Sequence, residues 1–307
     1  MRAPVASAAS AASPRPAGAL EGRPRTWGLT VIAVLALVFL SVPIVIVLPM
    51  SFSSANTLAF PPPGFSVRWY RSFFGDPAWL QAAGNSAIIA LASSVTALAL
   101  GSTAAYGLVR GTFRGKAILE GNFMAPLIVP PVVKAVALYI VFAQLGLLRT
   151  YAGLIAAHTV LGVPYVVLLM SVAIRAFDVR LEQMAYSLGA TWFFTFRRVL
   201  LPNLFPSVLA AWILAFIVSF DEIILTFFLF GHRDTIPKRL FTLLEQKVDP
   251  TITAIATMLI GVSVITLVLV ALLVRRAGML SSKGEAGGLS ARSGRRWVDV
   301  RTASMEE

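Results

Sequence analysis

An all-α, polytopic membrane protein with six transmembrane helices and both termini in the cytoplasm is the fold this sequence predicts. Three observations carry that expectation. Hydrophobic residues fill 57% of the 307 positions, and mean hydropathy is +0.80. Only 13% of residues are charged, where a soluble domain carries about 25%. Six apolar runs lie near 28–49, 84–108, 122–145, 151–175, 205–230 and 252–274. Each is long enough to cross a hydrocarbon core about 30 Å thick at about 1.5 Å per residue.

The net charge of +12 invites a nucleic-acid reading, but Lys and Arg that set membrane topology account for it better. With the N-terminus inside, inner segments hold 18 Lys and Arg against 7 in outer segments, and Lys134 lies within a span. The last outer loop opposes this bias with Arg233, Lys238, Arg239 and Lys247. The sequence contains no Cys, which excludes disulfides and Cys-based metal sites. His158 and His232, far apart in sequence, are a poor nucleus for a metal centre.

Residues 1–27, rich in Ala, Ser, Pro and Arg, read as a disordered cytoplasmic tail. The first apolar run exceeds twenty residues and ends in VLPM without a small-residue cleavage site, so it reads as a retained helix rather than a signal peptide. The second run is rich in Gly, Ala, Ser and Thr, which permit close helix–helix approach. The stretch GTFRGKA that follows has Ala117 where a phosphate loop needs Ser or Thr, and it reads as a cytoplasmic turn. Pro126, Pro130, Pro131 and Pro164 predict kinks or breaks in the third and fourth spans. The transmembrane unit is expected over 28–276, with a basic disordered tail at 277–307.

Asp221 and Glu222 fall within the fifth run, about 24 Å from its start at residue 205 if the helix is continuous. Carboxylates at that depth cost at least about 2.5 kcal/mol each and normally face a cavity or a partner. Two compatible expectations follow. Lys134, in the third span, pairs with one acid; or an acid accepts a cationic substrate, with Tyr139, Phe216 and Phe220 offering aromatic faces. His158 reads as a hydrogen-bonded packing residue. A proton-coupled secondary transporter using Asp221 or Glu222 is a different class of reading; it requires two inverted repeats, which are not evident. A membrane scaffold would give no reason for two buried acids.

The segment 178–202, RLEQMAYSLGATWFFTFRRVLLP from Arg180 on, is too polar to span and too long for a linker. Asp178 is a candidate N-cap, and Leu181, Met184, Ala185 and Leu188 share one helical face. Gly189 suits a left-handed helix end. Thr191 can cap a second helix, with Trp192, Phe196 and Val199 on one face, which Pro202 should stop. Periodicity alone fits equally an amphipathic helix on the inner leaflet and a knob for a groove in a partner.

The segment resembles the cytoplasmic signature of ABC importer permeases: E-A-A, three residues, Gly, nine residues, Ile, one residue, Leu-Pro. This chain reads Gln183-Met184-Ala185, three residues, Gly189, nine residues, Val199, Leu200, Leu201-Pro202. Gln183 stands for the family's Glu and Met184 for its first Ala, while Glu182 lies one position early. The outer stretch FPPPGFSVRWYRSFFGDPAWLQAAGNS, the SFDE of the fifth span and TIPKRLFTLLEQKVDPTITAIAT resemble the spermidine/putrescine branch. That branch also contains permeases for ferric ion and other small solutes.

The resemblance implies a bacterial inner-membrane permease subunit that imports a polyamine such as spermidine or putrescine. Glu182, Gln183, Ala185, Gly189 and Pro202 would then contact an ABC ATPase, and Asp221, Glu222, Lys134 and Tyr139 would line the substrate path. It further implies a dimer of ATPase subunits carrying ATP and Mg, a second homologous permease and a periplasmic solute-binding protein, all within membrane lipid. No cofactor and no nucleic acid is expected on this chain.

Overall fold

A computed structural model describes residues 27–246, 250–268 and 272. The helices are α1 (Trp27–Ser51), α2 (Arg68–Gly75), α3 (Pro77–Arg110), α4 (Lys116–Ile128), α5 (Pro131–Gln144), α6 (Tyr151–Ala176) and α7 (Val179–Ser187). They continue with α8 (Trp192–Thr195), a π-turn (Phe196–Leu200), α9 (Leu201–Phe220), α10 (Ile224–Leu229), α11 (Ile236–Gln246) and α12 (Thr251–Val268). Among the described residues the only β pairing is an isolated bridge between Ser53 and Phe65. Among the described residues five helices are long and apolar enough to cross a membrane, or six if the bent pair α4–α5 is one span. The expectations for the two tails lie outside the described residues.

The chain forms two units, one ending at Val45 and one from Ile46 onward. The first is the N-terminal part of α1, apolar on every side, as a helix surrounded by hydrocarbon must be. In the second unit α3, α6 and α9 pack together along small residues. Ala97 and Ala105 of α3 meet Val166 and Met170 of α6 and Ala211 and Ala215 of α9. A Cβ on Gly101 would lie 2.7 Å from Val166 Cβ, and one on Gly162 would lie 3.0 Å from Ala97 Cβ. The small-residue second span therefore does what its composition predicts, letting backbones approach where apolar burial gives no driving force in lipid.

Helix starts follow local chemistry. Asp76 caps α3 by accepting from Ala78 N at 2.8 Å, with Pro77 in the first turn, so this span begins well before residue 84. Thr150 caps α6 through Gly153 N at 3.0 Å. The third run, 122–145, proves to be two helices bent by 109°. Pro130 has no N–H to give to the carbonyl of Pro126, so the helix cannot continue. The fourth span differs: α6 runs unbroken through Pro164.

Two expectations are corrected. Pro202 does not stop the second helix of the 178–202 segment. The chain from Trp192 to Phe220 counts as a single 29-residue span. Leu201 N bonds to Phe196 O, five residues back, so a π-turn absorbs the missing donor of Pro202 and α9 follows directly. The fifth run is also not one helix to residue 230. It ends at Phe220, with Asp221 as C-cap, and resumes as α10.

The basic residues that oppose the charge bias are mostly tied down. Lys238 Nζ is 3.1 Å from Asp234 Oδ1 and donates to the carbonyls of Gly231 and Arg233. Arg239 pairs with Asp76 and Asp234 and lies over the Trp79 ring, while Arg233 lies over Tyr151. Lys247 lies outside the described residues.

Packing at Gly101 makes a test. Gly101→Ala should destabilise the purified subunit by about 1–3 kcal/mol, since the new methyl meets the stiff Val166 branch point. Gly107→Ala, with nothing within 4 Å, should be neutral or stabilising. Thermal unfolding of both variants in detergent checks this.

Candidate functional site

Two places bring the sequence-predicted residues together: the break between α9 and α10, and the turn between α7 and α8. At the break, the two adjacent acids have separate roles. Glu222 Oε1 accepts from Leu225 N at 3.0 Å, capping α10. Asp221 is exposed, and among the described residues its carboxylate has no hydrogen-bond or ion-pair partner. It borders a hollow of about 280 Å³ between α9 and α12, beside Phe216, Phe220, Leu259 and Ser263. The Phe216 and Phe220 rings are stacked, with centroids 5.5 Å apart. Their spacing of one helical turn puts both rings on one face of α9, and Asp221 lines the same hollow.

Behind this break lies a buried polar chain. Ser93 of α3 is 2.8 Å from Ser219 of α9 through their hydroxyl oxygens, and Ser219 Oγ is 2.8 Å from His158 Nδ1. On the other side of the ring His158 Nε2 is 3.5 Å from Thr226 Oγ1, which donates to the Glu222 carbonyl at 3.3 Å. One neutral tautomer satisfies every step: Ser93 to Ser219 to Nδ1, then Nε2–H to Thr226 to the carbonyl. His158 is 1% exposed, and it is the hydrogen-bonded packing residue expected of it. Its position against the break was not legible, because nothing in the sequence aligns residues 93, 158, 219 and 226.

Lys134 is elsewhere. Its Nζ donates to Pro126 O at 2.8 Å, and it makes no ion pair with Asp221 or Glu222. The expected pairing is therefore corrected. The carbonyl orphaned by Pro130 is a nearer claim on the ammonium, and inside hydrocarbon an unpaired carbonyl costs several kcal/mol. Tyr139 is exposed on α5. Neither Lys134 nor Tyr139 lines the hollow beside Asp221.

The 178–202 segment takes the predicted form at its first helix. Asp178 Oδ1 accepts from Arg180 N at 2.9 Å. At the far end Ala190 N bonds to Ala185 O and Gly189 N to Tyr186 O, with Gly189 at φ +81°, the paired bonds of a Schellman stop. Thr191 Oγ1 accepts from Phe194 N, and Trp192 stacks on Phe196 at 5.5 Å. The side chains of Met184, Leu188, Trp192, Phe193 and Phe194 are all more than half exposed, Leu188 to 88%. Gln183 and Gly189 are exposed as well, Ala185 is half-buried, and Pro202 is exposed at the start of α9. Glu182 departs from expectation. It is the one buried residue of α7, and it faces α3, where Arg110 Nη2 lies 2.7 Å from its Oε1. The sequence placed it with the contact residues because it is the charge nearest the family's Glu position.

A family model described as the binding-protein-dependent transport system inner membrane component matches residues 97–279. The spermidine/putrescine transport system permease protein PotC of Escherichia coli (strain K12) is 30% identical over 250 residues, 81% of this chain and 93% of that protein. The putrescine transport system permease protein PotI of the same strain is 32% identical over 243 residues, 75% of this chain and 85% of that protein. The fold is similar to that of a chain of a bacterial ABC transporter involved in the import of the acidic polysaccharide alginate, at TM-score 0.62 and 18% identity, covering 82% of this chain and 96% of that one. The chain belongs to the binding-protein-dependent inner-membrane component family, and it is an ABC importer permease subunit.

The hydrogen-bond chain makes a prediction. Interhelical hydrogen bonds in membranes are worth about 0.6 kcal/mol on average and at most about 1.7. His158→Leu should thus destabilise the subunit by about 1–2 kcal/mol, while His158→Asn, which retains a partner for Ser219, should cost less. Detergent melting curves compare them.

Proposed function

We propose that this subunit lines the import path for a polyamine such as spermidine or putrescine, and that Asp221 receives its ammonium groups. One observation carries the reading: of the two acids in the fifth run, Glu222 is committed to capping α10, whereas Asp221 is unpartnered among the described residues, beside stacked Phe216 and Phe220. A carboxylate next to aromatic faces suits a flexible organic cation, through charge and cation–π attraction together. The similarity to PotC and PotI supports the same substrate class.

In this reading the N-terminus is cytoplasmic and the 178–202 segment is the coupling element. The exposed apolar knob of Met184, Leu188 and Trp192 fits a groove in an ATPase subunit, with Gln183, Ala185 and Gly189 at the contact. ATP and Mg belong to that partner. A second permease subunit completes the path in the bacterial inner membrane, and a periplasmic solute-binding protein delivers the solute from the other side. Access alternates as the ATPase subunits close and reopen.

Asp221→Asn should cut spermidine uptake by tenfold or more, about 1.4 kcal/mol or beyond, with the subunit still assembled with its ATPase. Normal uptake by that variant would remove Asp221 from the path. Gly189→Arg should abolish co-purification of the ATPase, both by strain at a positive φ and by bulk at the contact; retained co-purification would refute this placement of the dock.

A further inference from the structure

We infer that the Arg110–Glu182 ion pair is the link through which movement of α7 reaches α3, alongside the direct continuation of α8 into α9. The inference rests on the reading of the 178–202 segment as the ATPase dock.

α7 is joined to α6 through Phe177 and Asp178 and packs against α8 and the π-turn, and it reaches α3 through one buried side chain. Its apolar side chains face outward: Leu181 is 39% exposed, Met184 54% and Leu188 88%. An apolar helix face turned away from the protein cannot hold the helix to it. The single buried residue of α7 is a carboxylate, and its partner is the last residue of α3. A second contact sits one turn earlier on α3, where Tyr106 OH accepts from Trp192 Nε1 at 3.4 Å and the two rings meet edge to face. The end of α3 thus grips the segment on both sides of the Gly189 turn.

α3 is also a suitable recipient. It packs against α6 and α9 through Ala97, Gly101 and Ala105, and its Ser93 joins the hydrogen-bond chain that ends at the Glu222 carbonyl. A rigid helix therefore runs from the ion pair to the network behind Asp221. Both partners are largely withdrawn from water, with side-chain exposures of 22% for Arg110 and 7% for Glu182. Such a pair is weakly screened by salt, and losing one partner leaves an uncompensated charge. Glu182 and Arg110 are positioning residues here, since neither touches solute.

The sequence contains no Cys, so a single thiol introduced at Ser263, beside Asp221 in the hollow, reports movement there without any assumption about the solute. The complex of the full chain with its ATPase is labelled with a maleimide in the presence of MgATP and of MgADP. The wild-type background should show different labelling rates in the two states. Glu182→Arg should lose that difference while the ATPase still co-purifies and hydrolyses ATP, and the exchange of both residues, Glu182→Arg with Arg110→Glu, should restore it. Glu182→Gln, which keeps the side-chain size, reports the same loss should charge reversal impair folding. A nucleotide-dependent difference that survives in Glu182→Arg or Glu182→Gln, or that is absent from the wild-type background, overturns the link. So does loss of the ATPase from Glu182→Gln, which would place the residue in docking rather than transmission. If the ATPase fails to co-purify with the wild-type chain, the docking reading itself has failed and the link falls with it.

Discussion

Inside a hydrocarbon layer no water is present to satisfy a freed backbone group, so each irregularity of the chain must carry its own partner. That constraint organises this protein. The carbonyl left open by Pro130 is taken by the Lys134 ammonium. The amide left open at the start of α10 is taken by the Glu222 carboxylate. The missing donor of Pro202 is absorbed by a π-turn. Among the described residues, Lys134 and Glu222 are charges that make a broken helix tolerable, and Asp221 is one that does not.

The exception gains meaning from that pattern. A carboxylate that repairs nothing, beside two stacked rings, is the group we propose receives the solute. Behind it the His158 chain joins α3, α6, α9 and α10, so the break that presents Asp221 is not loose backbone but a packed and hydrogen-bonded feature. At the other end of α3 a charge pair again replaces apolar contact, leaving the apolar side chains of α7 and α8 facing out. The same long helix touches both places, and this gives the subunit a continuous physical route between them.

Much of the fold was legible because it depends on local chemistry. Apolar run length marks spans. Asp178, Thr191 and Gly189 announce their caps and turn by side-chain type, and Pro130 announces its break. The candidate site was legible only as a set of residue types. Lys134 reads as a counter-ion until the orphaned carbonyl nearby is seen. Glu182 reads as a charge at the ATPase contact until Arg110 is found beside it, 72 positions earlier. The continuity of α8 into α9 was missed because Pro normally ends a helix, and a π-turn leaves no mark in composition.

By itself the sequence determined the class of protein, the rough positions of its apolar spans, the small-residue seam of α3 and the helix–turn–helix form of the 178–202 segment. These follow from hydropathy, side-chain volume and backbone preference, which act over a few residues. Only the tertiary structure decided which acid is free, which carbonyl the intramembrane lysine serves, and where α7 is anchored. Those are questions of pairing between distant residues, and pairing is settled by which polar group lies within hydrogen-bond reach once the helices have packed.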